Sequence, residues 1–272
     1  MSLISVIVTT YNWPDALRLC LHSLYAQKDR NFEIIIADDG STDVNVDQIK
    51  VELGLSPVKI SYVHHEDKGF RAGTIRNKAV AHAIGEYLIF LDGDCIARPH
   101  FISRHRYLAE QGYFVPGNRV LLNQTYTQQI IEQQVLLHQK SWGYFLKSRL
   151  QNKINRLTAF LYLPLGFFRY VKPNKWHRAM TCNLAMWKAD FLGVNGFDEF
   201  FEGWGYEDSD LVIRLIHSGI KRKEGRFAVP VLHLWHAQND KSRQDINYQK
   251  LMDRLADQDF ISAESGVSQY IQ

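Results

Sequence analysis

The chain has 272 residues, 46% hydrophobic and 22% charged, with a formal net charge of +3. That much apolar material fills one sizeable core, and with no Pro/Ser/Gly-rich linker and no internal repeat the expectation is a single α/β domain over 1–272. Three cysteines, Cys20, Cys95 and Cys182, are too few for a disulfide framework, and no basic leader precedes the first strand, so free thiols and a cytoplasmic location are expected.

In chain order, residues 4–9 read as a short buried strand, followed by Thr10-Tyr11-Asn12 and a helix over 13–26 that Asn12 can cap. A second strand over 32–37 ends in Asp38-Asp39-Gly40-Ser41-Thr42-Asp43. Simple turn chemistry with Gly40 and Ser41 accounts for one of the two leading aspartates. Arg71, Arg76 and Lys78 open a helix that runs to Ile84 and ends at Gly85, where cations and a helix start could meet a diphosphate. The apolar run over 87–91 then delivers Asp92-Gly93-Asp94 where a buried strand meets solvent, the place where α/β folds bind phosphorylated ligands. Two carboxylates on one tight turn, with Gly93 letting the backbone approach a ligand, suit a hard divalent cation that also holds a diphosphate. Cys95, beside them without a Cys or His neighbour in sequence, reads as packing.

The middle of the chain is one-sided in charge. No acidic residue occurs between Glu132 and Asp190, while ten lysines and arginines do. Leu146, Leu150, Ile154, Leu157 and Leu161 fall on one helical face, flanked by Arg149, Lys153 and Arg156. The apolar run over 157–168 is interrupted by Pro164 and falls short of the roughly 20 residues that a membrane span needs. Two readings stay open. The stretch lies on an anionic membrane surface or embraces an acidic or lipid-linked acceptor, or it is a docked helical insertion with a solvated basic flank. Nucleic acid is not expected as a partner, since no helix-turn-helix or RNA-binding signature accompanies the charge. Further on, Glu207-Asp208 starts an amphipathic helix fixed by Leu211, Val212, Leu215 and Ile216, and a short strand over 227–232 leads into His233-Leu234-Trp235-His236.

Taken together, the opening strand with Thr9, Tyr11 and Asn12, the Asp38–Asp43 turn, the 69–79 string, Asp92-Gly93-Asp94 and the 203–210 string resemble the nucleotide-sugar glycosyltransferases of inverting family 2. The resemblance covers residues 2 to about 240. It implies a GT-A fold, a mixed, mostly parallel sheet with helices on both faces, divided into a nucleotide-binding half (1–118), a basic insertion (119–180), an acceptor and catalytic part (181–243) and a C-terminal helix (244–272). It also implies roles. Asp94 is the direct ligand of Mn²⁺ or Mg²⁺, Asp92 lies nearer the ribose or the metal's waters, and His233, ahead of His236, completes the metal shell. Thr9, Tyr11, Asn12 and Asp39 hold the nucleoside, with Asp39 accepting the N3–H of uracil and Tyr11 stacking on the ring. Arg71 is the first choice for phosphate or sugar contact. Asn77 is a packing or sugar-binding residue, and Asn183 is placed with the sugar and acceptor.

The string from Trp204 to Asp208 resembles the acceptor motif of β-galactosyltransferase-like enzymes, which makes Trp204 the acceptor platform, Glu207 its hydrogen-bonding partner and Asp208 the general base. Asp210 reads as helix-start chemistry. The expected activity is inverting, metal-dependent transfer from a UDP-sugar to a glycan or lipid-linked acceptor in surface polysaccharide synthesis. Two rivals remain. A sugar-1-phosphate nucleotidyltransferase would carry a Gly-rich basic loop where this chain has Thr10-Tyr11-Asn12-Trp13; a catalytically silent nucleotide-sugar-binding protein would lack Asp208.

Overall fold

The computed structural model describes residues 2–42, 44–54, 58–237 and 240–271; Asp43, the last residue of the aspartate-rich turn, lies outside them. The strands are β1 (Ile4–Thr10), β2 (Phe32–Asp38), β3 (Ile60–His64), β4 (Tyr87–Asp92), β5 (Cys95–Ala97), β6 (Tyr113–Pro116), β7 (Asn118–Leu121), β8 (Asn183–Trp187), β9 (Lys221–Arg222) and β10 (Pro230–His233). The helices are α1 (Pro14–Tyr25), α2 (Val46–Leu53), α3 (Ala72–Ala81), α4 (Phe101–Leu108), α5 (Gln124–Glu132), α6 (Trp142–Leu150), α7 (Lys188–Gly193), α8 (Glu207–His217) and α9 (Gln244–Ala256).

Seven strands form the main sheet in the order β3-β2-β1-β4-β8-β6-β9. β1, β2, β3 and β4 run parallel, and β8 is antiparallel to both of its neighbours. Strict alternation along β1 explains why both faces are covered. Val6 and Val8 pack with Leu17, Leu21 and Leu24 of α1, whereas Ile7 points to the other face with Ile75 and Ala79 of α3 and Leu211 and Leu215 of α8. Burying each such aliphatic side chain is worth about 1.5–3 kcal/mol, so α1, α3 and α8 are firmly seated.

A second, three-stranded sheet, β5-β10-β7, builds a smaller core with the insertion, in which Val120, Tyr126, Ile130, Phe145, Ile154 and Leu232 meet. The insertion departs from the continuous helix read in its sequence. α6 ends at Leu150, Asn152 turns the chain with a φ of 54°, and Ile154 pairs as a bridge with Leu122. Leu146 and Leu150 are therefore exposed while Ile154 is buried, because backbone pairing of 153–155 with 121–123 outcompetes further helix. The C-terminal helix likewise stops at Ala256, and residues 263–268 hydrogen-bond to the turn at Val194, Asn195 and Glu199.

Among the described residues no helix is long and apolar enough to cross a membrane. All three cysteines are free and buried.

Candidate active site

The carboxyl ends of β1, β2 and β4 lie side by side, with Thr9 in register with Asp92 and Thr10 with Asp38. Register alone thus brings three of the sequence motifs to one edge. Gly93 packs closely on β1: its N–H donates to Thr9 O at 2.7 Å, and a Cβ would sit 3.0 Å from that carbonyl, a tight contact.

The two aspartates after β2 divide their work. Asp38 accepts from Ser41 N and from the Tyr62 hydroxyl, which is turn chemistry. Asp39, almost wholly buried, accepts from Arg71 N at 2.9 Å and faces His65 Nε2 at 2.7 Å. Asn12 does not cap α1, whose N-cap is Trp13 with no side-chain bond. It adopts a left-handed φ of 44°, donates its N–H to Ser41 Oγ and accepts from Thr42 N, tying the first loop to the second. Tyr11 stands half exposed above this edge with its hydroxyl donating to Asp67 at 2.8 Å. Hydrogen bonding to that carboxylate raises the tyrosine's pKa.

Antiparallel pairing of β5 with β10 sets His233 opposite Cys95, and Leu234 N donates to Asp94 O. His233 Nε2 is consequently 3.6 Å and His236 Nε2 3.4 Å from Asp94 Oδ2. Ligand atoms of Asp94, Cys95 and His233 all fall within 4.8 Å of one another. Burial pushes the Cys95 thiol well up, and it donates to Asp94 Oδ1 at 3.5 Å. One carboxylate with imidazoles on either hand is a donor set that suits Mn²⁺ better than Mg²⁺, and His233 is the histidine that clusters with Asp94. Arg119 also faces His233 Nε2, at 3.4 Å, which makes His236 the less encumbered of the two.

Opposite Asp92, α8 presents Glu207 and Asp208 from its first turn. Its entry is tightly bent, with Gly203, Gly205 and Tyr206 all at positive φ and Gly203 N bonded to Phe70 O. Asp210, which reads as a helix-start acid in sequence, is fully buried against Arg214 Nε and Nη2, and Arg214 also donates from Nη1 to Val194 O and from Nη2 to Gly196 O. This locks the first turn of α8.

Asp208 is held by Thr181, which donates to its two oxygens from N at 3.1 Å and from Oγ1 at 2.7 Å. Burial raises the pKa of Asp208, opposed by Arg76 and the Thr181 bonds. Burial beside Asp208 pushes Glu207 up to about 8. Trp204 is partly exposed next to this pair, with Lys241 Nζ 5.4 Å from its ring centre.

Arg76 joins the two sides. Its Nε donates to Thr9 Oγ1 at 2.9 Å, its Nη2 meets Asp92 at 3.1 Å, and its Nη1 lies 3.7 Å from Glu207 and 3.8 Å from Asp208. That Nη1 is buried without a hydrogen-bond partner. The sequence ranks Arg71 above Arg76; in the structure the Arg71 guanidinium donates to the carbonyl of Glu66, and it is Arg76 that meets the carboxylates. Thr181, His65 and Arg119 are also absent from the sequence reading. Thr181 carries no motif, and only the fold brings it to Asp208.

Asn77, read as a packing or sugar-binding residue, and Asn183, placed with the sugar and acceptor, both lie in packed positions. Asn77 is fully buried, accepts from Phe197 N and donates to Phe197 O and Glu199, so it packs α3 against the following turn. Asn183 is buried too, with Nδ2 donating to Val229 O and Oδ1 facing His105 Nε2.

The sequence profile of Glycosyl transferase family 2 matches residues 5–171, and that of the N-terminal domain of galactosyltransferase matches residues 166–236. The chain belongs to glycosyl transferase family 2. It is similar to validoxylamine A glucosyltransferase of Streptomyces hygroscopicus subsp. jinggangensis, 31% identical over 227 residues, which are 80% of this chain and 52% of that protein. The uncharacterized glycosyltransferase YfnE of Bacillus subtilis is 28% identical over 269 residues, 89% of this chain and 67% of that one. The chain spans about half the length of the validoxylamine A glucosyltransferases that it matches.

Among solved structures, S. aureus TarS 1–349 aligns with a TM-score of 0.60 at 16% identity, covering 98% of this chain and 68% of that one, and it is also known in complex with UDP and with UDP-GlcNAc. The mannosyltransferase PcManGT of Pyrobaculum calidifontis, in complex with GDP-Man and Mn²⁺, aligns at 0.55 and 16% identity over 93% of this chain and 63% of that one. At this identity the likeness is one of fold, the GT-A type.

Proposed function

We propose that the protein transfers a sugar with inversion from a UDP-sugar to a hydroxyl of a glycan or lipid-linked acceptor, in surface polysaccharide synthesis. The observation that carries this reading is the meeting, around one guanidinium, of the strand-end Asp92 with the helix-borne Glu207 and Asp208. Donor-side and acceptor-side carboxylates thereby share one cleft. The complexes of TarS with UDP and UDP-GlcNAc support the choice of nucleotide.

In this mechanism Asp39 accepts the N3–H of uracil, Tyr11 stacks on the base, and Thr9 and Asp92 orient the ribose. When bound, a Mn²⁺ or Mg²⁺ ion held by Asp94 with His236 or His233 supplies positive charge for a departing diphosphate. The acceptor sugar rests on Trp204 and hydrogen-bonds Glu207. Asp208 takes the proton of the attacking hydroxyl. Burial raises its proton affinity while Thr181 fixes its two oxygens, which gives a base of useful strength in a fixed orientation. Arg76 opposes the effect of burial on Asp208 and is the chain's own cation beside the reacting centre.

A sugar-1-phosphate nucleotidyltransferase is disfavoured by the first loop, where Asn12 bonds to Ser41 and Thr42 in place of a phosphate cradle. A thermal-shift panel of UDP, GDP, CDP and dTDP sugars, each with and without Mn²⁺, tests donor and metal together. Stabilisation by UDP-sugars that requires Mn²⁺ is the expected result. Stabilisation by another nucleotide alone rejects the donor assignment.

A further inference from the structure

Within the acid-free stretch, the chain from Leu161 to Val171 projects outward through a short 3-10 turn, Gly166–Tyr170, with Gly166 at a φ of 52°. Its base is clamped. The buried guanidinium of Arg169 donates from Nη1 to the carbonyls of Glu224 and Arg226 and from Nη2 to Leu163 O, and Leu163 N donates to Phe227 O. Beyond that clamp the side chains are apolar and turned to solvent. Phe167 and Phe168 are 71% and 60% exposed with ring centres 4.0 Å apart, and Tyr162, Leu163 and Val171 are exposed beside them. A contiguous apolar patch on an anchored loop marks an interaction surface.

The charge around it indicates the partner. Lys172, Lys175 and Arg178 follow the patch directly, and Arg104 lies over the Tyr162 ring at 4.4 Å. Desolvation and the like charges of Arg222, Lys172 and Arg178 lower the pKa of Lys175, opposed by Glu224, so several cations stand close together here. The acids that reach the region are taken: Glu110 by Lys223 and Tyr170, Glu224 by Arg222 and Arg226. A second copy meeting this face through a two-fold axis would set like charge on like charge. Nucleic acid would leave the aliphatic Leu163 and Val171 without a partner.

The geometry points to the Leu161–Arg178 segment as a docking element for an anionic bilayer surface, with Phe167 and Phe168 entering the acyl boundary and Lys172, Lys175 and Arg178 at the headgroup phosphates. This places the contact on the loop rather than on the basic flank of α6. The inference is independent of the donor and acceptor assignment. It has a bearing on it, since the same segment continues through Ala179 to Thr181, which holds Asp208.

The test is vesicle flotation of the 272-residue chain at low and high salt, on phosphatidylcholine alone and on phosphatidylcholine mixed with phosphatidylglycerol. Salt-sensitive binding to the mixed vesicles only is expected. Phe167→Ser with Phe168→Ser should weaken it about tenfold or more, and Lys172→Gln, Lys175→Gln and Arg178→Gln together about a hundredfold at low salt. Thermal unfolding midpoints within error of the parent show that the exposed variants fold. Absence of binding to either vesicle, equal binding to both, or binding unchanged in both variants overturns the proposal. So does a dimer, seen by light scattering, that the phenylalanine variant dissociates, because the occupant is then a second copy.

Discussion

Arg76 and Asp208 lie 3.8 Å apart, Nη1 to Oδ1, while the same buried guanidinium holds Asp92 at 3.1 Å on the other side of the cleft. One side chain from α3 thus neutralises carboxylates delivered by β4 and α8, elements far apart in sequence. Its burial is tolerable because the surrounding charge is of opposite sign.

Removing that cation leaves buried carboxylates uncompensated. Arg76→Met is expected to lower stability by about 3–5 kcal/mol, read from urea unfolding at neutral pH. An unchanged midpoint would mean that the carboxylates are solvated in solution and that the cleft is more open than described.

Asp208→Asn keeps the shape of the side chain and the bond from Thr181 N but removes the proton acceptor. Transfer should fall by roughly 10²–10⁴ with nucleotide-sugar binding retained. Near-normal turnover would return Asp208 to a role as a helix-start acid.

Glu207 gives a pH signature. Burial lifts its pKa from an ordinary 4.5 to about 8, so the folded state holds the proton more tightly than the unfolded chain. Its stabilising contribution is therefore complete below pH 4.5 and lost as pH rises through about 8. Glu207→Gln should flatten this fall in the ligand-free protein, gaining on the parent as pH rises. Parallel stability curves for the two proteins across that window would show that Glu207 titrates normally.

Asp94→Ala is expected to leave the fold intact and to abolish Mn²⁺-dependent binding of UDP, measured by calorimetry at saturating Mn²⁺. Retained affinity would remove Asp94 from the metal site. His236→Ala should weaken Mn²⁺ binding more than His233→Ala, because Arg119 already occupies the face of His233.

Asn183→Ala separates packing from recognition. Loss of the amide orphans Val229 O and the His105 ring, at about 1–3 kcal/mol. Donor and acceptor KM should be unchanged, and a rise in acceptor KM without a stability loss would restore the sugar-binding role.

The sequence by itself determined the alternating strands, the motif-bearing turns and the start of α8, because these depend on local periodicity, glycine placement and helix-start chemistry. The positions of Thr9, Asp39, Asp92, Glu207 and Asp208 were legible for the same reason, since each lies at a strand end or opens a helix, with Asp94 in the turn that follows β4. Tertiary structure alone decided what those carboxylates face. That Arg76 meets Asp92, Glu207 and Asp208, that Thr181 grips Asp208, and that Asn77 and Asn183 turn inward all follow from contacts across long sequence separations. The basic insertion shows the same limit. Its 3.6-residue periodicity suited one long helix, but pairing of 153–155 with 121–123 and the Arg169 clamp on three carbonyls broke that pattern and exposed a different apolar surface. Helical periodicity records only local preference, whereas burial of backbone polar groups is settled by the whole chain at once.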